Sequence, residues 1–242
     1  METSIRIDKL SAAYGSNQIL TDLDVQFPVG EIIGIIGPNG CGKSTLLKAM
    51  LGLIPDVKGE VQFFGRPIDA QRETIAYVPQ RETVDWDFPI SVREVVEMGV
   101  FKPGKWWRKK TTAESEQVQN ALQKVGMWDF ADKPIGDLSG GQQQRVFVAR
   151  ALVQQADILL MDEPFVGIDM VSQEQIWQNL HELRDQGKTI LIVHHDLGSA
   201  RKHFDRLLMI HQGKIGAFDK PDVVLSKELL QRVYSGFIIV QE

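Results

Sequence analysis

GPNGCGKS, at residues 37–44, is the stretch that decides the fold. It matches the pattern GxxxxGK[ST], a glycine-rich turn whose backbone N–H groups cradle phosphates. EIIGII at residues 31–36 is an apolar, β-branched run suited to a buried strand, and STLLKAMLGL at residues 44–53 has helical periodicity. The sequence therefore predicts a phosphate-binding loop between a strand and a helix.

A lysine and a hydroxyl at the end of this loop would carry its chemistry. We expect Lys43 to neutralise the β and γ phosphates of a nucleotide and Ser44 to coordinate Mg²⁺. The helix that follows would point its positive N-terminus at the same anion. The residues expected to contact the nucleotide are Gly37, Pro38, Asn39, Gly40, Cys41, Gly42, Lys43, Ser44 and Thr45.

Cys41 is the single cysteine of the chain, which excludes an internal disulfide framework. One interpretation is that this small residue simply packs within the loop. The other is that a thiol near a helix N-terminus has a lowered pKa and reacts with alkylating reagents. The sequence leaves both interpretations open.

Two further motifs lie in the second half of the chain. ILLMDEP at residues 158–164 begins with four apolar residues that predict a buried strand, whose end presents Asp162 and Glu163. LSGGQ at residues 138–142 predicts an anion site made by backbone groups at a helix start. Because the phosphate loop already holds this chain's own nucleotide, the second anion site is expected to serve another subunit.

The pattern of short strands and helices predicts an α/β fold with two lobes. Residues 1–84 and 158–216 alternate β-branched runs with helical segments, which is typical of a mostly parallel sheet flanked by helices, with antiparallel hairpins attached. Residues 85–157 are largely helical in periodicity and predict an inserted subdomain that carries LSGGQ. Residues 217–242 are expected to form C-terminal helices and a tail. The predicted fold class is a P-loop NTPase core with an inserted helical subdomain.

Composition restricts the classes of protein to consider. The 242 residues are 43% hydrophobic and 24% charged, with a net charge of −5, as in an ordinary globular domain. The longest uncharged apolar runs are far shorter than the ~20 residues that cross a bilayer, and the first residues lack the apolar core of a signal peptide. We therefore expect a cytoplasmic subunit. The mild acidity argues against a nucleic-acid partner.

With these three motifs in family order, the chain resembles the ATP-binding cassette (ABC) family from Tyr14 to about Tyr234. The resemblance implies an ATPase that uses ATP and Mg²⁺. It also implies that Asp162 supports Mg²⁺ through its water shell and that Glu163 is the base that polarises the attacking water. Catalysis in such sites is mostly positioning and electrostatic stabilisation.

The resemblance assigns three further residues to the nucleotide. Gln80 would reach Mg²⁺ and the water, His195 would contact the γ-phosphate, and Tyr14 would stack on adenine. His194 is the neighbour that does not match. Adjacent residues at an extended strand end point to opposite faces, so a metal site built from both histidines is not expected.

The family also implies a head-to-tail homodimer that sandwiches two ATP molecules. The signature residues that would touch the ATP of the opposite subunit are Leu138, Ser139, Gly140, Gly141 and Gln142. Asp169 would make a contact across the interface. Gly167 and Ile168 stand where the family more often has SALD, which puts the details of that contact in doubt.

The stretch RETVDWDFPISVREVVEMG, at residues 81–99, resembles the region of importers that receives a short helix of the membrane permease. Trp86, Phe88 and Pro89 are large or rigid groups suited to anchoring that partner, although they could equally pack inside the small lobe. Asp85 and Asp87 are interpreted as solvated or paired with the permease rather than as a metal site.

This stretch, with LSGGQQQRVFVARAL and ILIVHHDL, most resembles the ATPase subunits of bacterial manganese, zinc and iron importers, with manganese the leading choice. The implied partners are integral permease subunits and, through them, a solute-binding protein. The expected location is the cytoplasmic face of the membrane, bound peripherally. The alternatives are zinc or iron import, an exporter, and a soluble ABC ATPase acting on nucleic acid or ribosomes.

FKPGKWWRKKT, at residues 101–111, concentrates five basic residues around two tryptophans. An ordinary solvated loop is the simplest interpretation. Contact with anionic lipid headgroups and binding of single-stranded nucleic acid are the alternatives. The sequence does not decide among them.

Overall fold

The computed structural model describes residues 2–81, 88–100 and 111–234. The strands in chain order are β1 Thr3–Tyr14, β2 Asn17–Pro28, β3 Ile32–Ile36, β4 Asp56–Phe63, β5 Arg66–Pro67, β6 Ile75–Val78, β7 Ile158–Asp162, β8 Thr189–Val193, β9 Arg206–His211 and β10 Lys214–Asp219. The helices are α1 Lys43–Met50, α2 Val92–Glu97, α3 Thr112–Lys124, α4 Gly140–Val153, α5 Met170–Asp185, α6 Leu197–His203, α7 Pro221–Val224 and α8 Lys227–Tyr234.

The chain divides into two compact units, one formed by Met1–Arg72 with Thr189–Glu242 and the other by Glu73–Lys188. The sequence instead suggested a helical subdomain at residues 85–157, and that functional division remains a prediction. Within the described residues, no helix is both long enough and apolar enough to span a bilayer.

The first unit contains two groups of strands. β1 pairs antiparallel with β2 and with β4, and β4 pairs with the short β5. In the other group, β3 lies in parallel between β8 and β9, and β10 returns antiparallel along β9. All five residues of β3 and all five of β8 are buried, as their continuous apolar sequences predict.

β9 and β10 form an antiparallel hairpin, as the sequence RLLMIHQGKIGAF at residues 206–218 predicts. Gln212 and Gly213 both have positive φ, 48° and 71°, which is the geometry of a two-residue turn that matches strand twist. A Cβ at position 213 would overlap the carbonyl oxygen of Ile19, so only glycine fits there.

The predicted strand, loop and helix around the phosphate-loop motif are also confirmed. β3 ends at Ile36 and α1 begins at Lys43. The helix ends at Met50, earlier than its periodicity suggested, because Gly52 adopts φ 68° and closes the helix with a hydrogen bond from its N–H to the carbonyl of Ala49.

The second unit combines two parallel strands with helices. β6 and β7 pair in register from Ile75 with Ile158 to Val78 with Met161. Helices α2, α3 and α4 pack against one another, and α3 also packs against α5. The predicted fold class, α/β with parallel strands flanked by helices and added antiparallel pairs, is confirmed.

Candidate functional site

The phosphate loop owes its shape to glycine. Gly37 and Gly42 adopt φ of 149° and 108°, values that other residues rarely reach. A Cβ at position 37 would overlap the carbonyl oxygen of Ile210 on β9, and one at position 42 would press on the side chain of Leu20. The close approach of neighbouring backbone and side chains therefore requires glycine at both ends of the loop.

Lys43 turns back into this loop. It is 8% exposed, and its Nζ donates hydrogen bonds to the carbonyl oxygens of Gly37 at 2.9 Å and Pro38 at 3.0 Å. A buried ammonium must be compensated, and here two loop carbonyls do so. Because an ammonium has three N–H donors, this geometry keeps the charge of Lys43 in the loop with capacity for a further acceptor such as a phosphate oxygen.

The surroundings of Cys41 distinguish between packing within the loop and a reactive thiol of lowered pKa. The thiol is 7% exposed, and burial raises its pKa, an effect that the charge of Lys43 only partly offsets. The alternative that proximity to a helix N-terminus lowers this pKa is wrong, because desolvation of the thiolate outweighs the nearby positive charge. Cys41 packs within the loop.

His194 and His195 separate as the strand geometry predicts. His195 is exposed just beyond β8, whereas His194 is 6% exposed and its Nε2 lies 2.9 Å from Oγ of Ser199 on α6. Burial, with a smaller contribution from the charge of His195, lowers the pKa of His194 to about 4. Asp196 caps α6 by accepting a hydrogen bond from the N–H of Gly198.

Tyr14 ends β1 and is 48% exposed, so its ring is available for stacking. An exposed aromatic ring of this size has apolar surface that a ligand can cover. Its contact with adenine remains a prediction.

The acidic pair in the second unit lies at the end of β7. Asp162 is fully buried, and Glu163 follows it with φ 52°, a left-handed backbone conformation that is uncommon outside glycine and asparagine. Gln80 comes two residues after Val78, as Glu163 comes two residues after Met161, and these strand residues are in register. The parallel register therefore brings Glu163, the predicted base, and Gln80 to the same end of the two strands, just beyond their last paired residues.

The signature motif starts α4 with a capping box. Ser139 is the N-cap: its Oγ accepts from the N–H of Gln142 at 3.4 Å, and its own N–H donates to Oε1 of Gln142 at 2.9 Å. The backbone at Gly141 lies so close to Gly167 that a Cβ at 141 would overlap the Gly167 carbonyl oxygen. Glycine at position 141 is thus needed for this contact within the unit.

Asp169 is the N-cap of α5, because its Oδ1 accepts a hydrogen bond from the N–H of Ser172 at 2.9 Å. Hydrogen bonding to Ser172 lowers the pKa of this carboxyl. Next to it, Met170 and Val171 are 85% and 72% exposed. The sequence interpretation missed these two; the signal was an apolar pair in the first turn of a helix, where polar residues are usual.

The structure describes only part of the segment that the sequence predicts to receive the permease. Phe88 is 61% exposed and Pro89 is also exposed, which favours a partner-binding role over packing for these two. Trp86, Asp85 and Asp87 lie outside the described residues, as do residues 101–110 of the basic, tryptophan-containing loop.

Comparison with known proteins identifies the relatives of this fold. The ABC transporter domain family matches residues 20–166. The chain is 48% identical over 232 residues to the manganese transport system ATP-binding protein MntB of Bacillus subtilis, covering 96% of this chain and 92% of that protein. It is 47% identical over 235 residues to the zinc transport system ATP-binding protein TroB of Treponema pallidum, covering 97% and 88%.

The fold is similar to a solved structure, a nucleotide-free ATP-binding cassette from an ABC transporter, and the alignment covers 100% of both chains. The TM-score is 0.79 and the identity 26%. The similarity therefore extends over the whole fold and includes the strands and helices that carry every motif described above.

Proposed function

The chain belongs to the ABC transporter family and is an ATP-hydrolysing, ATP-binding protein of that family, and from this premise we propose that it powers the import of a metal ion, manganese first. The observation that carries nucleotide binding is the phosphate loop with Lys43 turned into it. The cargo proposal rests on relatives matched over nearly their whole length, several of which are named for manganese transport. Zinc is the second candidate, because one relative of similar identity is named for zinc transport.

In this proposal the residues of the phosphate loop, from Gly37 to Thr45, bind the phosphates of ATP, and Tyr14 stacks on adenine. Lys43 neutralises charge on the outer phosphates, and His195, which is exposed, contacts the γ-phosphate. Glu163 orients and deprotonates the attacking water. Gln80, which follows β6 as Glu163 follows β7, holds that water in place. These are positioning and electrostatic functions, as phosphoryl transfer requires.

The residues proposed to hold Mg²⁺ are Ser44, Gln80 and Asp162. They offer a hydroxyl, an amide oxygen and a carboxylate, all hard oxygen ligands of the kind that Mg²⁺ prefers. Asp162 is fully buried at the end of an apolar strand, a position in which a carboxylate is costly unless it serves a cation or hydrogen bonds. Bound Mg²⁺ would neutralise phosphate charge.

Two copies of the chain are proposed to act together. The helix start at Leu138–Gln142 offers backbone N–H groups to the ATP of the partner subunit. The exposed Met170 and Val171, beside Asp169, supply apolar surface that a second copy would cover. ATP binding would favour the closed pair and hydrolysis would reopen it.

The permease is proposed to dock on the segment that contains Trp86, Phe88 and Pro89. Exposed Phe88 supports this, because aromatic anchors dominate many interfaces. The proposed location is peripheral, on the cytoplasmic face and held there by that permease, because a relative of 48% identity is named as the ATP-binding protein of a transport system. A solute-binding protein would act through the permease.

The test is the metal content of cells that carry Glu163→Gln, measured by elemental mass spectrometry. We expect cellular manganese to fall, because this substitution removes the proposed base and leaves ATP binding intact. The matched control is Glu182→Gln, which changes the same residue type at an exposed position of the same unit, on α5. A selective fall in cellular zinc would show that zinc, and not manganese, is the cargo. Unchanged cellular contents of both metals would contradict the transport proposal.

A further inference from the structure

Arg81, directly after Gln80, reaches the start of the signature helix. Its Nε donates a hydrogen bond to Oε1 of Gln143 at 3.0 Å. The guanidinium also lies over Gly140: a Cβ at that position would come within 2.9 Å of both Nε and Cζ of Arg81. The space that a side chain at 140 would fill is therefore taken by the arginine.

Gln143 also bonds to the segment that precedes the signature. It is 3% exposed, and its Nε2 donates to the carbonyl oxygen of Ile135 at 3.2 Å. Ile135 begins the short helix that leads into Leu138. Both ends of a buried amide are thus used, one toward Arg81 and one toward Ile135, and removing either partner leaves a buried polar group unsatisfied.

Arg81 brings a positive charge to the start of α4, where the first N–H groups of the helix already form its positive end. The phosphates that the signature is proposed to meet would be attracted by both.

We propose that Arg81 is a positioning residue that joins the loop carrying Gln80 to the signature motif. A displacement of this loop would pull on Gln143 and Gly140 and so shift the start of α4. The inference rests on the proposed function, because it takes the roles of Gln80 and of Leu138–Gln142 from it. It adds a named mechanical link between two segments of one unit.

The experiment compares Arg81→Ala, Arg81→Lys and Gln143→Ala in the purified full-length chain. A hydrogen bond to a charged group contributes enough that we expect kcat for ATP hydrolysis to fall about tenfold in Arg81→Ala. The affinity for a fluorescent ATP analogue should stay unchanged, since Arg81 is not assigned to this chain's own nucleotide. Arg81→Lys should restore part of kcat, because lysine can still donate to Gln143.

A double-mutant cycle tests the link itself. Because both side chains serve one contact, the Arg81→Ala, Gln143→Ala double variant should lose no more kcat than the worse single variant. The control is Arg184→Ala, which removes another guanidinium of the same unit, paired with Asp185 at the end of α5 and outside residues 81–99. It should leave kcat unchanged.

Three results would overturn the inference: wild-type kcat in Arg81→Ala, additive losses in the cycle, or a loss of kcat that only follows a loss of thermal stability. None depends on the cargo. If cellular metals stay unchanged in Glu163→Gln while the cycle is non-additive, the transport proposal fails and the positioning role of Arg81 stands.

Discussion

Replacing Gly141 by alanine should separate the signature from the segment around Gly167. The new Cβ would overlap the Gly167 carbonyl oxygen, and since that atom belongs to the backbone, the two segments must move apart. Overpacking costs about 1–3 kcal/mol, and an overlap with a backbone atom belongs in the upper part of that range, at about 2–3 kcal/mol. Replacing a helical glycine by alanine returns roughly 0.5–1 kcal/mol, which leaves a net loss of about 1–2.5 kcal/mol. For a chain of this size that loss lowers Tm by about 2–10 °C.

The matched variant is Gly140→Ala, one residue earlier in the same helix turn. Its Cβ would meet the guanidinium of Arg81, the end of a flexible side chain that can swing aside. We expect its Tm to fall less than that of Gly141→Ala, because a displaced side chain costs only its hydrogen bond to Gln143, whereas a displaced backbone carbonyl moves a whole segment.

The assays are thermal unfolding by circular dichroism and steady-state ATP hydrolysis. Gly141→Ala should unfold at a lower temperature than Gly140→Ala and hydrolyse ATP more slowly than the wild type. The reasoning would be refuted if Gly141→Ala matched the wild type in both assays, or if Gly140→Ala were the less stable of the two.

Three further outcomes follow from the site. The pKa of His194 is lowered to about 4 in the folded chain, whereas a histidine of the unfolded chain binds a proton near pH 6.5, so Tm should fall as the pH drops from about 6.5 to about 4. In His194→Gln, Tm should depend less on pH over this range, and an equal dependence would contradict the assignment. Cys41 should react with a thiol reagent far more slowly in the folded chain than in denaturant, and equal rates would show that it is not buried. Phe88→Ala should reduce co-purification with the permease while basal ATP hydrolysis persists; full retention of the permease would remove Phe88 from the docking surface.

Much of the fold could be predicted because its determinants are local. The apolar run at residues 31–36, the glycines after it and the helical periodicity that follows are contiguous in sequence, and the structure forms strand, loop and helix there. The hairpin at Gln212 and Gly213 is equally local, since the turn needs positive φ at two adjacent residues.

The features that escaped prediction depend on contacts between distant residues. Whether the Cys41 thiol has a raised or a lowered pKa depends on how deeply it is buried, and the motif around it indicated only the opposing charge. The approach of Gly141 to Gly167 and of Arg81 to Gly140 joins segments far apart in the chain, so no spacing rule could have revealed them.

Asp169 gives an intermediate case. Aspartate before a helical stretch is a common N-cap signal, and the structure gives the side chain that role. Its contact with a partner subunit stays a prediction, because that contact would be made with a second chain. The exposed Met170 and Val171 beside it are the better local sign of such a surface, because burial and not residue type marks an unpartnered apolar patch.

Uptake of radioactive manganese by intact cells tests the central proposal most directly. The comparison is between the wild type and Lys43→Ala, which removes the ammonium that the phosphate loop buries. We expect Lys43→Ala to abolish energy-dependent manganese uptake while the chain remains folded and associated with its permease. Manganese uptake at the wild-type rate in Lys43→Ala would contradict it.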